Sequence, residues 1–382
     1  MKKIFLSIFA AVSVLGTVAA QNRIVIPDTQ DYLVLTGDMH LHTIFSDGSV
    51  WPTTRVREAL AEGVEVLCIT DHMDARHKRM VREGLFNCDR NKSYEIAAKA
   101  AKGTGLIVIH GGEISRRMAP GHFNTLFIAD AEPIADASDA HENHQKGMLA
   151  GLAEAEKQNA FCVWNHPHWA AQQQLEIKWH KEHQQIYDKG YMHGIEAYNS
   201  SDGFSDEAFQ WAIDKNLTLI CGTDCHGPMF DMVRTDAGEL RPVTLIFAKE
   251  ATEEGVREAL VARRTAIFAD GNVYGSEELL TSLVDACVKV EKIFQKGWTT
   301  YVTISNSSSI PFRLKRVWEG AKAAYSNFEI LYPFGQETYG CTGINEYKTP
   351  VEVDTFDLVF ELQNFFTAPG KHLTYKITVK KP

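Results

Sequence analysis

The chain has 382 residues, with 39 Lys and Arg against 49 Asp and Glu and a formal net charge of −10. A surface of that sign repels polyanions, which excludes an extended nucleic acid as partner but leaves room for a small anion held at a local cation. Seven cysteines with no CxxC spacing do not describe a disulfide framework, and the odd count leaves at least one thiol unpaired within the chain.

Lys2 and Lys3, the apolar stretch from Ile4 to Val18 and the pair Ala19 and Ala20 read as a secretory signal over residues 1–20. The run is short for a membrane span and small residues close it. The expectation is therefore a secreted or periplasmic protein with no stable membrane insertion after cleavage. No Cys stands at the cleavage site, which argues against a lipid anchor. Loss of Lys2 and Lys3 takes the basic count from 39 to 37 against 49 acidic residues, a net charge near −12.

From Tyr32 to about Phe268, apolar strands alternate with amphipathic helices, which predicts an α/β fold around a parallel sheet. Strands are expected over Leu33–His42, Val64–Thr70, Leu106–Glu113, Phe123–Ala129, Phe161–Asn165, Ile195–Tyr198, Leu217–Thr223 and Val243–Ala248. Pro52 suits the first turn of a helix with Val56, Ala59, Leu60 and Gly63 on one face, and a second helix is expected around Tyr94–Lys102. The polar stretch Ala170–Lys189 reads as a solvated helix or part of a cap over a rim. Thr252 is the expected N-cap of a last helix running to Arg263, with Glu253 and Glu254 in its first turn. About eight strands suit a barrel better than an open sheet. Cys68, Cys162 and Cys221 fall inside these strands, as buried small thiols would. After Asp270 the texture changes. Thr299–Ile304, Pro311–Val317, Phe328–Tyr332, Val351–Leu362 and Leu373–Val379 read as strands with little helix between them. They predict a small all-β sandwich over residues 289–382, joined through a connection over 271–288.

The strands of the first domain end in ionisable groups. GDMHLH, CITDH, IHGGE, WNHPH, IEAYN and CGTDCH each close an apolar run, and GHFN follows the third. His40 and His42 are two residues apart on a strand, so both leave one face of the pleat. Asp224 and His226 repeat the spacing, and Cys225 between them is expected to face away. A single pair of this kind is commonly incidental. Two pairs, with TDH and GGE at further strand ends, describe a metal centre, because burying so many ionisable groups unpaired would be costly. Mixed imidazole and carboxylate ligands suit Zn, Mn or Fe rather than Ca or Mg.

HLHTIFSDGS, ITDH, GGE, the GH pair, NHPH and GTDCH, spanning about Gly37 to Gly227, resemble the motifs of the polymerase and histidinol phosphatase (PHP) family of metal-dependent phosphoesterases, in particular its secreted phosphodiesterase branch. The resemblance implies a distorted (β/α)7-type barrel for residues 21–270 and two to three divalent metal ions. It implies that His40, His42, Glu113 and Asp224 hold one metal, that Glu113 bridges to a second held by His122 and His166, and that Asp47, His72 and His226 hold a third. A hydroxide bridging two metals would then attack a small phosphate ester, a diester in preference.

Around these ligands, Asp71 is expected to orient a ligand histidine or cap a turn, and Arg116 or Arg117 to clamp a phosphate. His77 is a candidate proton donor or substrate contact, His168 a substrate contact, and Asn199 a hydrogen-bond partner of substrate or of a metal-held water. Glu196 and Trp164 read as structural, and Trp169 as a pocket wall. His110, His141, His144, His180, His183, His193 and His372 have no partner spacing. Rival readings are a phosphomonoesterase of the same family, and a metal-stabilised scaffold whose sandwich binds glycan or a protein partner through Tyr325, Tyr332 and Phe334. A metal-dependent hydrolase of C–N bonds is disfavoured by Glu113 standing where such sites use a strand-borne Lys.

Overall fold

The computed structural model describes residues 23–73, 89–169, 177–234, 237–318, 322–326 and 328–382. The signal expected over residues 1–20, His77, and the first part of the polar stretch 170–189 lie outside the described residues. In chain order the first half comprises β1 (Leu33–Asp38), α1 (Pro52–Glu62), β2 (Val66–Ile69), α2 (Lys92–Ala101), β3 (Ile107–Ser115), β4 (His122–Leu126), α3 (Ala131–Asp139), α4 (His144–Lys157), β5 (Phe161–Trp164) and α5 (Lys181–Asp188). It is followed by β6 (Gly194–Asn199), β7 (Gly203–Phe204), α6 (Asp206–Asp214), β8 (Thr218–Gly222), α7 (Met229–Met232), β9 (Val243–Ala248), α8 (Glu253–Val261) and β10 (Thr265–Ala269). Local chemistry sets the helix ends. Pro52 fixes the first turn of α1 and Gly63, at φ 80°, closes it, while Thr252 caps α8 by accepting the Gly255 N–H at 3.0 Å. Among the described residues, no helix is long and apolar enough to cross a membrane.

The strands β1, β2, β3, β4, β5, β6 and β8 pair in that order. Parallel pairing, the expectation from the alternating pattern, fails at β4, which runs antiparallel to both neighbours with Glu113 opposite Asn124 and Phe123 opposite Trp164. The reason is length. Residues 116–121 are too few for a crossover helix, so the chain can only turn back on itself. β9 is likewise antiparallel to β1, with β10 beside it.

Regular β1 ends at Asp38, short of the expected His42. Beyond it the chain makes one bridge, Leu41 to Cys225, and this closes the ring: the His42 N–H donates to the Cys225 carbonyl at 3.1 Å and the Asp224 N–H to the His40 carbonyl at 2.7 Å. Below the rim, Thr244 of β9 fills the seam, its hydroxyl accepting the Cys221 N–H at 2.8 Å and donating to the Cys221 carbonyl at 2.9 Å. The buried Asp38 carboxylate ties the same seam together. It accepts from Arg241 at 2.5 and 3.0 Å, from the Thr223 hydroxyl at 2.6 Å and from the Thr223 N–H at 3.0 Å. The six described cysteines are buried free thiols, and Cys225 turns toward Arg55 rather than toward the histidines beside it.

The expected connection 271–288 is itself folded, into β11 (Asn272–Gly275) and α9 (Glu277–Cys287). Beyond it come β12 (Val288–Lys296), β13 (Thr299–Asn306), β14 (Phe312–Arg316), β15 (Ala323–Ala324), β16 (Phe328–Leu331), β17 (Gln336–Gly343), β18 (Thr355–Ala368) and β19 (Lys371–Lys380). They form two sheets, β12-β13-β17-β15 and β16-β14-β18-β19, around Val302, Ile304, Phe312, Leu358 and Phe360. The second sheet continues into the barrel sheet, since β18 pairs in parallel with β11 through Phe365 opposite Val273 and Phe366 opposite Tyr274. Asn364 reinforces the joint by donating to the carbonyls of Gly271 and Pro311, both at 2.7 Å. Tyr325, expected as an exposed aromatic, is instead core: its hydroxyl donates to the Val359 carbonyl at 2.8 Å.

Removing the guanidinium that faces Asp38 leaves a buried carboxylate with hydroxyl and amide partners only. Arg241→Met should cost about 3–5 kcal/mol in urea unfolding, the scale for a stranded buried charge. An unchanged unfolding midpoint would show that the pair does not hold the seam.

Candidate metal centre

The bridge between Leu41 and Cys225 sets the geometry of the rim. Strand side chains alternate, so the residues flanking the bridged pair come to the opposite face: His40 and His42 on one chain, Asp224 and His226 on the other. Asp224 Oδ1 lies 3.0 Å from His42 Nε2 and 3.3 Å from His40 Nε2. Asp224 and His166 both adopt positive φ, 54° and 30°, a conformation that costs about 1–3 kcal/mol for a non-glycine residue and concentrates at functional sites.

Glu113, fully buried on β3, is the common neighbour. Its carboxylate lies 2.6 Å from His72 Nδ1, 2.9 Å from His122 Nδ1, 3.5 Å from His166 Nε2, 3.6 Å from His40 Nε2 and 3.8 Å from His42 Nε2. His122 reaches it from the first residue of the reversed strand β4, so its amino end, not a carboxyl end, delivers this ligand. Asp47 faces the other side of the cluster, 3.2 Å from His226 Nε2 and 3.4 Å from His72 Nε2.

All nine candidate ligands from the sequence therefore converge. Their donor atoms form four overlapping groups, each within 4.8 Å: His42, Asp47, His72 and His226; His40, His42 and Glu113; His40, His166 and Asp224; His72, Glu113 and His122. His166 groups with His40 and Asp224 here, and His122 with His72, so the groups interlock more than the family resemblance implies. Buried imidazole nitrogens and carboxylate oxygens aimed at common points fit divalent transition metals.

Protons take part of that role in the chain alone. Burial lowers His42 and His122 to about 4, leaving neutral imidazoles of the kind that ligate metals. Burial also opposes charge on His40 and His72, but the carboxylates outweigh it. Asp224 and Glu196 lift His40 to about 10, and Glu113 and Asp47 lift His72 to about 10. Glu113 is held well below the usual carboxylate range: burial opposes its charge, but His72, His122 and His166 overcome it.

Several groups hold the ligands in place. Glu196, read as structural, accepts from His40 Nδ1 at 3.2 Å and from the His166 N–H at 2.7 Å, which leaves His40 Nε2 free to face the centre. Gly222 permits this, because a Cβ there would lie 2.2 Å from Glu196 Oε1 and 2.4 Å from His40 Cβ. Asp71 accepts from Thr43 and from the Ser46 hydroxyl at 2.6 Å, and Ser46 in turn lies 3.2 Å from His42 Nδ1, so Asp71 both closes the turn and reaches a ligand through one hydroxyl. Asn199 Nδ2 donates to Glu196 and to Asp224 Oδ2, each at 3.3 Å. Asn165, which the sequence reading passed over, donates to Glu113 Oε1 at 2.9 Å; its place inside NHPH was the available signal.

The other candidates divide. Arg116 turns away from the centre to the Ser138 hydroxyl and Asp139. Glu113 and Ser115 share one face of β3, so a residue three positions beyond Glu113 belongs to the opposite face. Arg117 is exposed, and among the described residues it makes no ion pair with a ligand carboxylate. His168 is half-buried beside the site, and its Nδ1 finds no partner among the described residues. Trp169 stands 5.3 Å from the rings of both His122 and His166, as a wall would, while Trp164 is fully buried. His183 stacks on Trp164 at 3.8 Å and donates to the Pro120 carbonyl, and His110 stacks on Tyr94 at 4.2 Å; both are structural.

The PHP domain model matches residues 38–189, and a model of an Ig-like domain matches residues 288–378. A two-domain protein from Bacteroides vulgatus containing a predicted PHP-like metal-dependent phosphoesterase is 36% identical, with 94% of this chain and 98% of that one covered at a TM-score of 0.84. Two further structures cover 61% of this chain and 97% of their own. One, described as a metal-dependent phosphoesterase from Bifidobacterium adolescentis, is 14% identical with a TM-score of 0.40; the other, an amidohydrolase from Chromobacterium violaceum with bound sulfate and no metal, is 18% identical with a TM-score of 0.38. No curated protein matches.

Two outcomes follow from this geometry. Folding raises His40 and His72 above the ordinary histidine range, so both carry protons at pH 8 that a divalent ion must displace. Calorimetry of metal uptake at pH 8 in buffers of different ionisation heat should show proton release, and apparent affinity should fall as pH falls; uptake without release contradicts the assignment. Glu196→Gln should weaken metal binding by about 10–100-fold, the usual effect of losing a partner behind a ligand histidine. Unchanged affinity would make Glu196 a bystander.

Proposed function

Because the chain belongs to the PHP family of metal-dependent phosphoesterases, we propose that it hydrolyses a small phosphate ester, preferring phosphodiesters to phosphomonoesters, with two to three Zn, Mn or Fe ions among the nine ligands. The observation that carries the proposal is the clustering of the nine donors in overlapping groups, with five imidazoles within 3.8 Å of the buried Glu113 carboxylate. Divalent ions held there would supply Lewis acidity to the phosphoryl oxygens and lower the pKa of water enough for attack near neutral pH.

The chain's own residues supply position and dryness. Glu113 is fully buried, and Asn165 holds one of its oxygens. Glu196 fixes the ring of His40, and Asn199 steadies Asp224 from the rim side. Trp169 covers His122 and His166 on one side, which narrows the approach for a substrate phosphate.

The preference for diesters rests on charge. A monoester dianion calls for more positive charge than a diester monoanion, and among the described residues Arg116 turns to Ser138 and Asp139 while Arg117 makes no ion pair with a ligand carboxylate. Export through residues 1–20 belongs to the same proposal and would place the activity outside the cytoplasm.

The test is turnover by metal-reconstituted protein of a bis-aryl phosphate against the matching aryl phosphate. Diester turnover should exceed monoester turnover, and both His40→Ala and Asp224→Ala should abolish it. Activity that survives both substitutions would defeat the site, and faster monoester turnover would reverse the substrate preference.

A further inference from the structure

A groove of about 1450 Å³ runs between the barrel and the Ig-like domain, from Tyr198 and Ser200 past Leu240 and Asp270 to Tyr332 and Phe334. We propose that it binds a neutral, hydroxylated ring group esterified to the phosphate, a glycosyl unit in chemical class, so that the C-terminal domain selects the substrate. The inference rests on the phosphoesterase reading for the phosphate end of the ligand, and on the groove itself for the rest.

One end of the groove is lined by Tyr198 and Ser200, which flank Asn199 in the chain. Ser200 follows Asn199, whose amide donates to the ligand Asp224, and the buried Ser200 hydroxyl oxygen finds no partner among the described residues. The other end is aromatic. Tyr332 and Phe334, in the turn between β16 and β17, are 61% and 56% exposed, high values for large apolar rings that line a cleft. Rings of this kind stack on the apolar faces of sugars and aromatic groups.

Charge narrows the occupant. Among the described residues lining the groove the ionisable acids are Glu239 and Asp270, and none is Lys or Arg. A second anionic group would be repelled, whereas hydroxyl groups would find carboxylate acceptors. Asp270 already accepts the Tyr198 hydroxyl at 3.0 Å through one oxygen, and Glu239 accepts the Arg234 N–H at 2.9 Å. A volume of about 1450 Å³, above the ~300–1,000 Å³ usual for ligand pockets, has room for at least one ring beyond the phosphate.

The two walls come from different domains, so the site requires a fixed joint. The parallel pairing of β11 with β18 and the Asn364 clamp provide one, and Tyr274 adds a stack between Phe204 at 3.7 Å and Phe366 at 5.0 Å.

The experiment uses the full, metal-loaded chain and two aryl phosphodiesters that share a leaving group, one carrying a glucosyl and the other a methyl group as second ester. Tyr332→Ala with Phe334→Ala should raise KM for the glucosyl ester about tenfold with kcat unchanged, the scale of losing one or two ring contacts, and should leave the methyl ester unaffected. Equal loss on both esters, or no change on either, would overturn the proposal. Methyl glucoside binding to metal-stripped protein, followed by NMR line broadening, separates the two readings. Broadening that the double substitution removes upholds the groove even if no phosphate ester is turned over. Absence of broadening together with an unselective KM rejects the groove while leaving hydrolysis standing.

Discussion

A carboxylate with no exposure and five imidazoles around it cannot keep its charge without counter-charge at hand. Glu113 occupies that position, and the arrangement of the barrel rim follows from it. In the chain alone, the raised pKa values of His40 and His72 set protons against the anions of Glu113, Asp224 and Asp47; divalent ions would balance them more fully. Metal uptake at this centre would therefore be an exchange, replacing dispersed protons with compact charge. His42 and His122, kept neutral by burial, need no such exchange.

The barrel is built to deliver this cluster. Its ring closes where β1 and β8 outrun their regular limits and meet at Leu41 and Cys225, so the closure and the two ligand pairs are the same structural event. A buried Arg241 and Asp38 pair stabilises the seam just beneath, and the left-handed backbone at Asp224 and His166 is strain that this surrounding structure has to offset. Glu196 and Gly222 complete the logic: a missing side chain on one strand makes room for a carboxylate on the next to hold His40.

Much of this was legible in the sequence, for a reason that also marks where legibility ends. The two-residue spacing of His40 with His42 and of Asp224 with His226 has one geometric meaning on extended chain, so the ligand pairs could be read directly. Partners across strands could not. Only the shortness of the link after β3 announces that β4 runs backwards, and His122 reaches Glu113 because it does. Arg116 failed because nearness to Glu113 in sequence says nothing of side, and strand alternation sends it to Ser138. Asn165 and Glu196 were hidden because a polar residue closing an apolar run looks structural until its partner is known. In the C-terminal domain the strands were readable from their alternation, whereas the joint with the barrel, made by Asn364 and by β11, depends on contacts between residues some ninety positions apart.

The central claim is that Glu113 organises a multinuclear metal centre, and elemental analysis after reconstitution and desalting tests it most directly. Wild-type protein should retain two to three transition-metal ions per chain, and Glu113→Gln, which keeps the shape and removes the charge, should retain at least one fewer. A wild-type chain that retains none, or a Glu113→Gln chain that retains the full complement, would contradict the account.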